Sequence, residues 1–511
     1  NNRGDDGGGG GGGGGSGEYI STIGGDVHGP FEGNVCMEYW RTASYWWSSL
    51  FLAFAALCTL YSVAAGWTGS PLNGHIDNLV GLGILNVLIF LILMFWIAIL
   101  EGSQMAYVGL TKEDPRELQG YPQCERVCQL VHKDQNMERF IVGRQLLLVF
   151  IVFVFSKFGS HSKRDESFHM GSWEWQRWAD AAFLQNGILL TITLAVPGQL
   201  VSQLMAIQNR KRFLSLRFAP FWTTAVPSLA LEFTGVVHCS YVLKDLFAKL
   251  SGVPMDPKTV MQKNVAYILR AVFSVLLVLF FSICIFKGIF DKQMHTSEEA
   301  GWSRMPPGAL LVLLLFVLFV VGCCEGLQIA AVKLMAEKRE NLTDVYAHPI
   351  GRRSITLLRR GNNLKSFLVG RQLFVATIYV IVSHTTTFAG DGGHLLHGDF
   401  WNFTPAAVAI LLQSGLAGAI FLTNVSILSF RTAASCYPKA FLKNPVIYGL
   451  LCVILAADFT GIVASTYPLS WFVGWFCDID ERKANNNNTN FNNNNSSSNH
   501  NNNNNNSNNN N

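Results

Sequence analysis

The chain is short of charge. Only 14% of its 511 residues are Asp, Glu, Lys or Arg, where a soluble globular chain carries roughly 25%. Its net charge of +4 is small and dispersed, which argues against a nucleic-acid partner. Catalytic signatures are missing too. There is no His-Glu-x-x-His, no Gly-x-Ser-x-Gly and no paired histidine within an apolar stretch, so nothing points to an enzyme. His238 and His384 stand singly and are read as packing residues. The eleven cysteines are scattered; Cys124 and Cys128 lie four apart with no His-rich partner segment, so no metal site is expected. Cys323 and Cys324 fall inside an apolar run and are read as packing.

Apolar surface is missing at both ends. Residues 7–15 are all Gly, and from Asn485 onward the chain is nearly all Asn and Ser. Such segments cannot offset the entropy of ordering and are expected to be disordered. The chain opens on Asn1 rather than Met, which leaves a preceding segment open.

The middle is the opposite. Half of all residues are apolar, and mean hydropathy is +0.26 despite the polar ends. A helix needs roughly 20 mostly apolar residues to cross a bilayer. Ten stretches qualify: 43–66, 79–108, 140–158, 180–206, 219–242, 263–286, 308–333, 366–388, 405–429 and 444–467. Aromatic residues cluster before the first (Tyr39, Trp40, Tyr45, Trp46, Trp47) and before the fourth (Trp173, Trp175, Trp178), as at a membrane interface. The longest loops are 109–139 and 334–365. Lys and Arg divide almost evenly between the two sides, so they do not choose an orientation.

A repeat organises these stretches. Residues 140–146 read FIVGRQL and residues 367–373 read FLVGRQL, 227 apart. Glu101-Gly102-Ser103-Gln104 pairs with Glu325-Gly326-Leu327-Gln328 at 224, Gln185-Asn186-Gly187 with Gln413-Ser414-Gly415 at 228, and Glu232-Phe233-Thr234-Gly235 with Asp458-Phe459-Thr460-Gly461 at 226. Spans one to five are therefore repeated as six to ten. A unit with an odd number of crossings re-enters the membrane inverted, as in many secondary transporters. The expected fold is an all-α polytopic membrane protein of about ten transmembrane helices, built as two inverted five-helix repeats. Its expected parts are a Gly-rich segment 1–42, repeats 43–242 and 263–470, a connecting loop 243–262 and an Asn-rich tail 471–511.

Ionisable residues inside a membrane are functional candidates, because each costs at least ~2.5–3.5 kcal/mol at a helix centre. Glu101 and Gln104 lie near the end of span two, Arg144 and Gln145 near the start of span three, and Glu325, Gln328, Arg371 and Gln372 repeat the arrangement. Each set combines carboxylate acceptors, guanidinium donors and amides with both capacities. The two sets are expected to converge toward opposite faces. Gly102, Gly143, Gly326 and Gly370 permit close backbone approach. The same groups also suit ion pairs that simply hold helices together. Secondary candidates are Gln185, Gln413, Glu232 and Asp458. Pro197 and Pro227 are expected to kink spans four and five and free carbonyls that can coordinate sodium.

Two copies of Glu-Gly-x-Gln, each followed by Gly-Arg-Gln at 143–145 and 370–372, resemble the diatom silicon transporter family over residues ~40 to 470. The resemblance implies ten spans in two halves and sodium-coupled uptake of silicic acid by a carrier. It names the eight motif residues above as the substrate site and sodium as coupling ion, with no other cofactor. Silicic acid is a small uncharged molecule with four hydroxyls at neutral pH, which amides, carboxylates and guanidiniums can surround. Sodium entering down the potential supplies ~2.3 kcal/mol per 100 mV. A channel for small neutral hydroxylated solutes is the alternative. The membrane is the plasma membrane or that of an intracellular vesicle, and a homo-oligomer is compatible. Many members carry a C-terminal coiled coil, whereas this tail has no heptads.

Inversion has a direct test. Loops 109–139 and 334–365 should lie on opposite sides, so an impermeant thiol reagent should reach single cysteines in them from opposite sides. Labelling of both from one side would rule out the inverted repeat.

Overall fold

The structure, a computed structural model, describes residues 35–476 apart from 71–78, 111–117, 119, 134–135, 161–168, 171–172, 175, 177–178, 217–218, 252–264, 298–301, 303, 336, 338 and 390–403. Among the described residues eight helices are long and apolar enough to cross a membrane. They are Tyr39–Ala64, Val80–Val108, Asn136–Gly159, Ile188–Gln208, Val265–Phe290, Pro307–Met335, Asn363–Thr386 and Ala406–Cys436, which answer to stretches one to four and six to nine. A two-residue antiparallel pairing, His169–Met170 with Trp173–Glu174, lies in the loop before the fourth.

The expected boundaries move in three places. The first helix starts at Val35, within the segment read as disordered. A helix Cys239–Ser251 runs into the expected connecting loop, and Thr466–Phe476 takes the first residues of the expected tail. Each extension carries aromatic or aliphatic side chains that extend the apolar helix. The Gly tract and the Asn-rich stretch lie outside the described residues.

Burial sorts the helices. In their most apolar windows spans three, four and eight are 72%, 78% and 72% buried, against 33%, 33% and 28% for spans one, two and six. The first group forms the centre, and the third and eighth spans pack on each other. The second group turns residues such as Leu57, Ile84, Phe95, Ile268 and Ile283 outward, the surface a bilayer requires.

Stretches five and ten are not continuous helices, which corrects the count of unbroken spans from ten to eight. Stretch five is the π-helical Ala219–Ala225 running on into the helix Val226–Phe233, a turn, and the helix Cys239–Ser251. Stretch ten is Pro445–Phe459, a turn, and Thr466–Phe476. The repeated Phe-Thr-Gly causes both breaks. Thr234 Oγ1 donates back to the Leu231 carbonyl and Thr460 Oγ1 to the Ala457 carbonyl, each at 2.6 Å. Gly235 and Gly461 then take φ of 88° and 74°, a left-handed stop that glycine adopts without strain. Spans four and nine are modified alike, with π-helical turns at Leu194–Leu200 and Thr423–Leu428. Pro197 sits in the first of these turns, and Pro227 follows directly on the π-helical Ala219–Ala225, inside a helix, where the Thr223 carbonyl four residues before it accepts from Trp96 Nε1 at 2.9 Å instead.

A helix broken in a membrane leaves backbone groups that need partners. One serine serves each break. Ser274 Oγ, on span six, donates to the Val236 carbonyl at 2.7 Å and accepts the Cys239 N–H at 2.9 Å. Ser48 Oγ, on span one, donates to the Ile462 carbonyl at 2.6 Å and accepts the Ser465 N–H at 3.0 Å. All three positions are separated by 226 residues, the offset read from the sequence. The hydrogen bond from Asn136 Nδ2 to the Leu130 carbonyl likewise recurs from Asn363 to Leu357.

These clasps set a prediction. Ser48→Ala strands a buried carbonyl and N–H and should destabilise the protein by about 1–3 kcal/mol. Ser274→Ala should cost less, because Asn424 Nδ2 also donates to the Val236 carbonyl at 3.3 Å. Thermal unfolding of the two variants in detergent gives the order.

Candidate functional site

The helices of the Glu-Gly-x-Gln and Gly-Arg-Gln motifs meet because the glycines let them. A methyl group built on Gly143 would lie 1.8 Å from the Ser228 carbonyl oxygen, and one on Gly370 would lie 2.7 Å from the Ile454 carbonyl oxygen. Span three thus presses on the helix Val226–Phe233, and span eight on Pro445–Phe459. Gly102 and Gly326 meet the rings of Phe213 and Phe441 in the same way. The arginine after each of the first two glycines is carried into the centre.

In the second half the cluster is tight. Arg371 Nη1 donates to Glu325 Oε1 at 2.7 Å, Arg371 Nη2 donates to Gln372 Oε1 at 2.7 Å, and Arg431 Nε lies 3.5 Å from Glu325 Oε2. In the first half it is looser. Arg144 Nη1 is 3.7 Å from Glu101 Oε2, and Gln203 Nε2 donates to that same oxygen at 2.9 Å. Arg144 Nη2 donates to Gln145 Oε1 at 2.9 Å.

The two sets were expected at opposite faces; the structure joins them. Gln145 Oε1 also accepts from Arg431 Nη1 at 2.7 Å, and Gln145 Nε2 donates to Tyr379 Oη at 3.0 Å. Gln372 Nε2 donates to Gln199 Oε1 at 2.9 Å. One network of hydrogen bonds and ion pairs therefore links spans two, three and four with seven, eight and nine. The reason is depth: Arg144 and Arg371 stand two turns inside helices that begin at Asn136 and Asn363. None of the five ionisable members Glu101, Arg144, Glu325, Arg371 and Arg431 is more than 6% exposed.

The other candidates are placed apart. Gln104 and Gln328, half-buried, stand one turn beyond the carboxylates and make no side-chain hydrogen bond within the network. Glu232 is buried 3.8 Å from His238 Nε2, near Arg139 and Arg270. Asp458 packs on Gly370. Gln185 Nε2 donates to Asp180 Oδ2 at 3.0 Å, and the Gln413 carbonyl accepts from Lys157 Nζ at 2.8 Å. Gln185 and Gln413 belong to motifs that break helices: Gly187 and Gly415 have φ of 70° and 84°. A 530 Å³ cavity between spans one, two and four and the helix Thr466–Phe476 is lined by Leu52, Phe90, Met94, Pro197 and Phe472 among others, and none of the candidates. Among the described residues no three His, Cys, Asp or Glu are grouped to hold a metal ion.

The model of the silicon transporter family matches residues 78–488. The chain belongs to that family. Membership of the silicon transporter family implies membrane transport of silicic acid. No curated protein and no solved structure matches the chain.

Four members of this silicon transporter's network escaped the sequence reading: Gln199, Gln203, Tyr379 and Arg431. Gln203 and Arg431 occupy repeat-related positions, 228 apart. A search for repeated identities passes over them because the residues differ. Span nine was ended at 429, whereas its helix runs to Cys436. Gln199, following Pro197-Gly198 in a buried span, was the readable signal.

The close glycines give the next prediction. Gly143→Ala sets a methyl against backbone that cannot move aside, and should cost about 3 kcal/mol, at the upper end of overpacking. Gly370→Ala, with more room, should cost about 1–2 kcal/mol. Unfolding temperatures of the two purified variants check the order.

Proposed function

We propose that the buried network is the substrate site of a sodium-coupled silicic acid symporter working by alternating access between two inverted five-span halves. The observation that carries the reading is Gln145, which holds groups of both halves at once. A rocking motion of one half against the other must break these bonds, and a solute with four hydroxyls can take their place. Gln104 and Gln328, one turn from the two carboxylates, border the way in.

Three features support this reading. Helices are broken in both halves, at the Gly235 and Gly461 turns, and broken helices at a repeat interface are where secondary transporters place their sites. The π-helical turns of spans four and nine, beside Gln199 and Arg431, offer oxygen ligands for sodium. The two halves also differ in conformation. The equivalent ion pairs measure 3.7 Å and 2.7 Å, as expected of one end state of a cycle in which the halves exchange geometries.

Uptake of germanium radiotracer into proteoliposomes tests the proposal. Uptake should saturate and rise with an inward sodium gradient. Gln145→Ala and Gln372→Ala should each lower it about tenfold, the equivalent of ~1.4 kcal/mol for lost hydrogen bonds. Uptake that is linear in solute and indifferent to sodium identifies the alternative, a channel for small neutral hydroxylated solutes.

A further inference from the structure

The network does not balance its charge. Three guanidiniums, Arg144, Arg371 and Arg431, face two carboxylates, Glu101 and Glu325. Among the described residues no other carboxylate is within ion-pair distance of the three. The surplus comes from one place. Gln203 in the first half donates to Glu101. The residue 228 positions later is Arg431, which faces Glu325 and also reaches Gln145. The repeat therefore shows that a neutral amide can occupy this position, and that the second half holds a cation there instead.

Hydrogen bonding is unbalanced in the same direction. Arg144 Nε, Arg371 Nε and Gln199 Nε2 are buried donors with no acceptor. A buried surplus of positive charge and donors calls for a partner that brings negative charge and acceptors.

We propose, building on the reading of this network as the substrate site, that silicic acid is held there as its monoanion, and that Arg431 is the residue that selects this form. In water near neutral pH the acid is uncharged. On binding, one hydroxyl of Si(OH)4 gives up its proton to solvent, the O–H electron pair staying on oxygen, and leaves SiO(OH)3− with all four Si–O bonds kept. Nearby cations favour the charged form of an acid, which lowers its pKa in the site. The oxyanion offsets the surplus guanidinium, and the ligand's oxygens accept from the stranded donors.

Proton release on binding decides the matter. Purified protein in detergent, in chloride-free medium, is titrated with silicic acid at pH 7.5, in two buffers of different ionisation enthalpy. The expected result is one proton released per molecule bound. Affinity for total silicic acid should rise about tenfold per pH unit, since each unit raises the monoanion tenfold below the acid's pKa. Arg431→Gln should bind at least tenfold more weakly, with no proton release and no pH dependence. Arg431→Lys, which keeps the charge, should restore the release. The wild-type titration stands even if the Gln variant fails to fold.

Binding by the wild type without proton release means that the neutral acid is the bound form; it overturns the monoanion and leaves the site reading intact. Silicic acid binding that is unchanged in both Arg431→Gln and Gln145→Ala removes the site reading and the monoanion together. Protection from heat unfolding by chloride, with none from silicic acid, assigns the surplus charge to a halide and overturns the proposal.

Discussion

Ionised groups in the middle of a bilayer must hold one another. Water is absent, and an unpaired charge there is expensive. Glu101, Arg144, Glu325, Arg371 and Arg431 are all buried, and the surrounding helices are arranged so that none is isolated. The glutamines make this possible. An amide accepts on one side and donates on the other, so Gln145 can take two guanidiniums on its oxygen and pass a proton donor to Tyr379. A third carboxylate in its place would have balanced the charge but offered no donor, and a fourth arginine would have been repelled.

Bringing such groups together requires helices closer than side chains usually permit. Gly143 and Gly370 remove the obstruction on spans three and eight. Their neighbours, the helices Val226–Phe233 and Pro445–Phe459, both end where Phe-Thr-Gly stops them. The stops create orphan backbone groups, and Ser48 and Ser274 satisfy these from adjoining helices. Close approach, helix breaks and serine clasps are thus linked, and each appears once per half.

Much of this was legible in the sequence, because the second copy acts as a control on the first. EGSQ and EGLQ, the two GRQ motifs, and the Thr-Gly pairs all marked positions that matter in the structure. What the motifs do was less legible. Phe-Thr-Gly reads as part of an apolar span, since hydropathy averages over breaks of five and six residues, at 234–238 and 460–465; only the left-handed glycine shows it. The joining of the two clusters was missed because depth in a membrane depends on where a helix begins, and Asn136 and Asn363 begin their helices some residues before the apolar run. Arg431 stands just past the end of its apolar run, on a helix that continues to Cys436. Gln203 and Arg431 share no identity, so the repeat does not mark them. Divergence between copies carries information about function that similarity hides.

The serine clasp has a consequence for biogenesis. Ser48 lies near the start of the chain and its partners, Ile462 and Ser465, near the end. Trp40 Nε1 likewise donates to the Phe459 carbonyl at 3.3 Å. During synthesis the first helix is inserted hundreds of residues before the backbone it will bind has been made. Until then its serine has no clasp to fill, and one flank of the assembly is open to lipid. The bundle therefore closes on this flank only once Ile462 and Ser465 have been made and the helices on either side of them seal against the first.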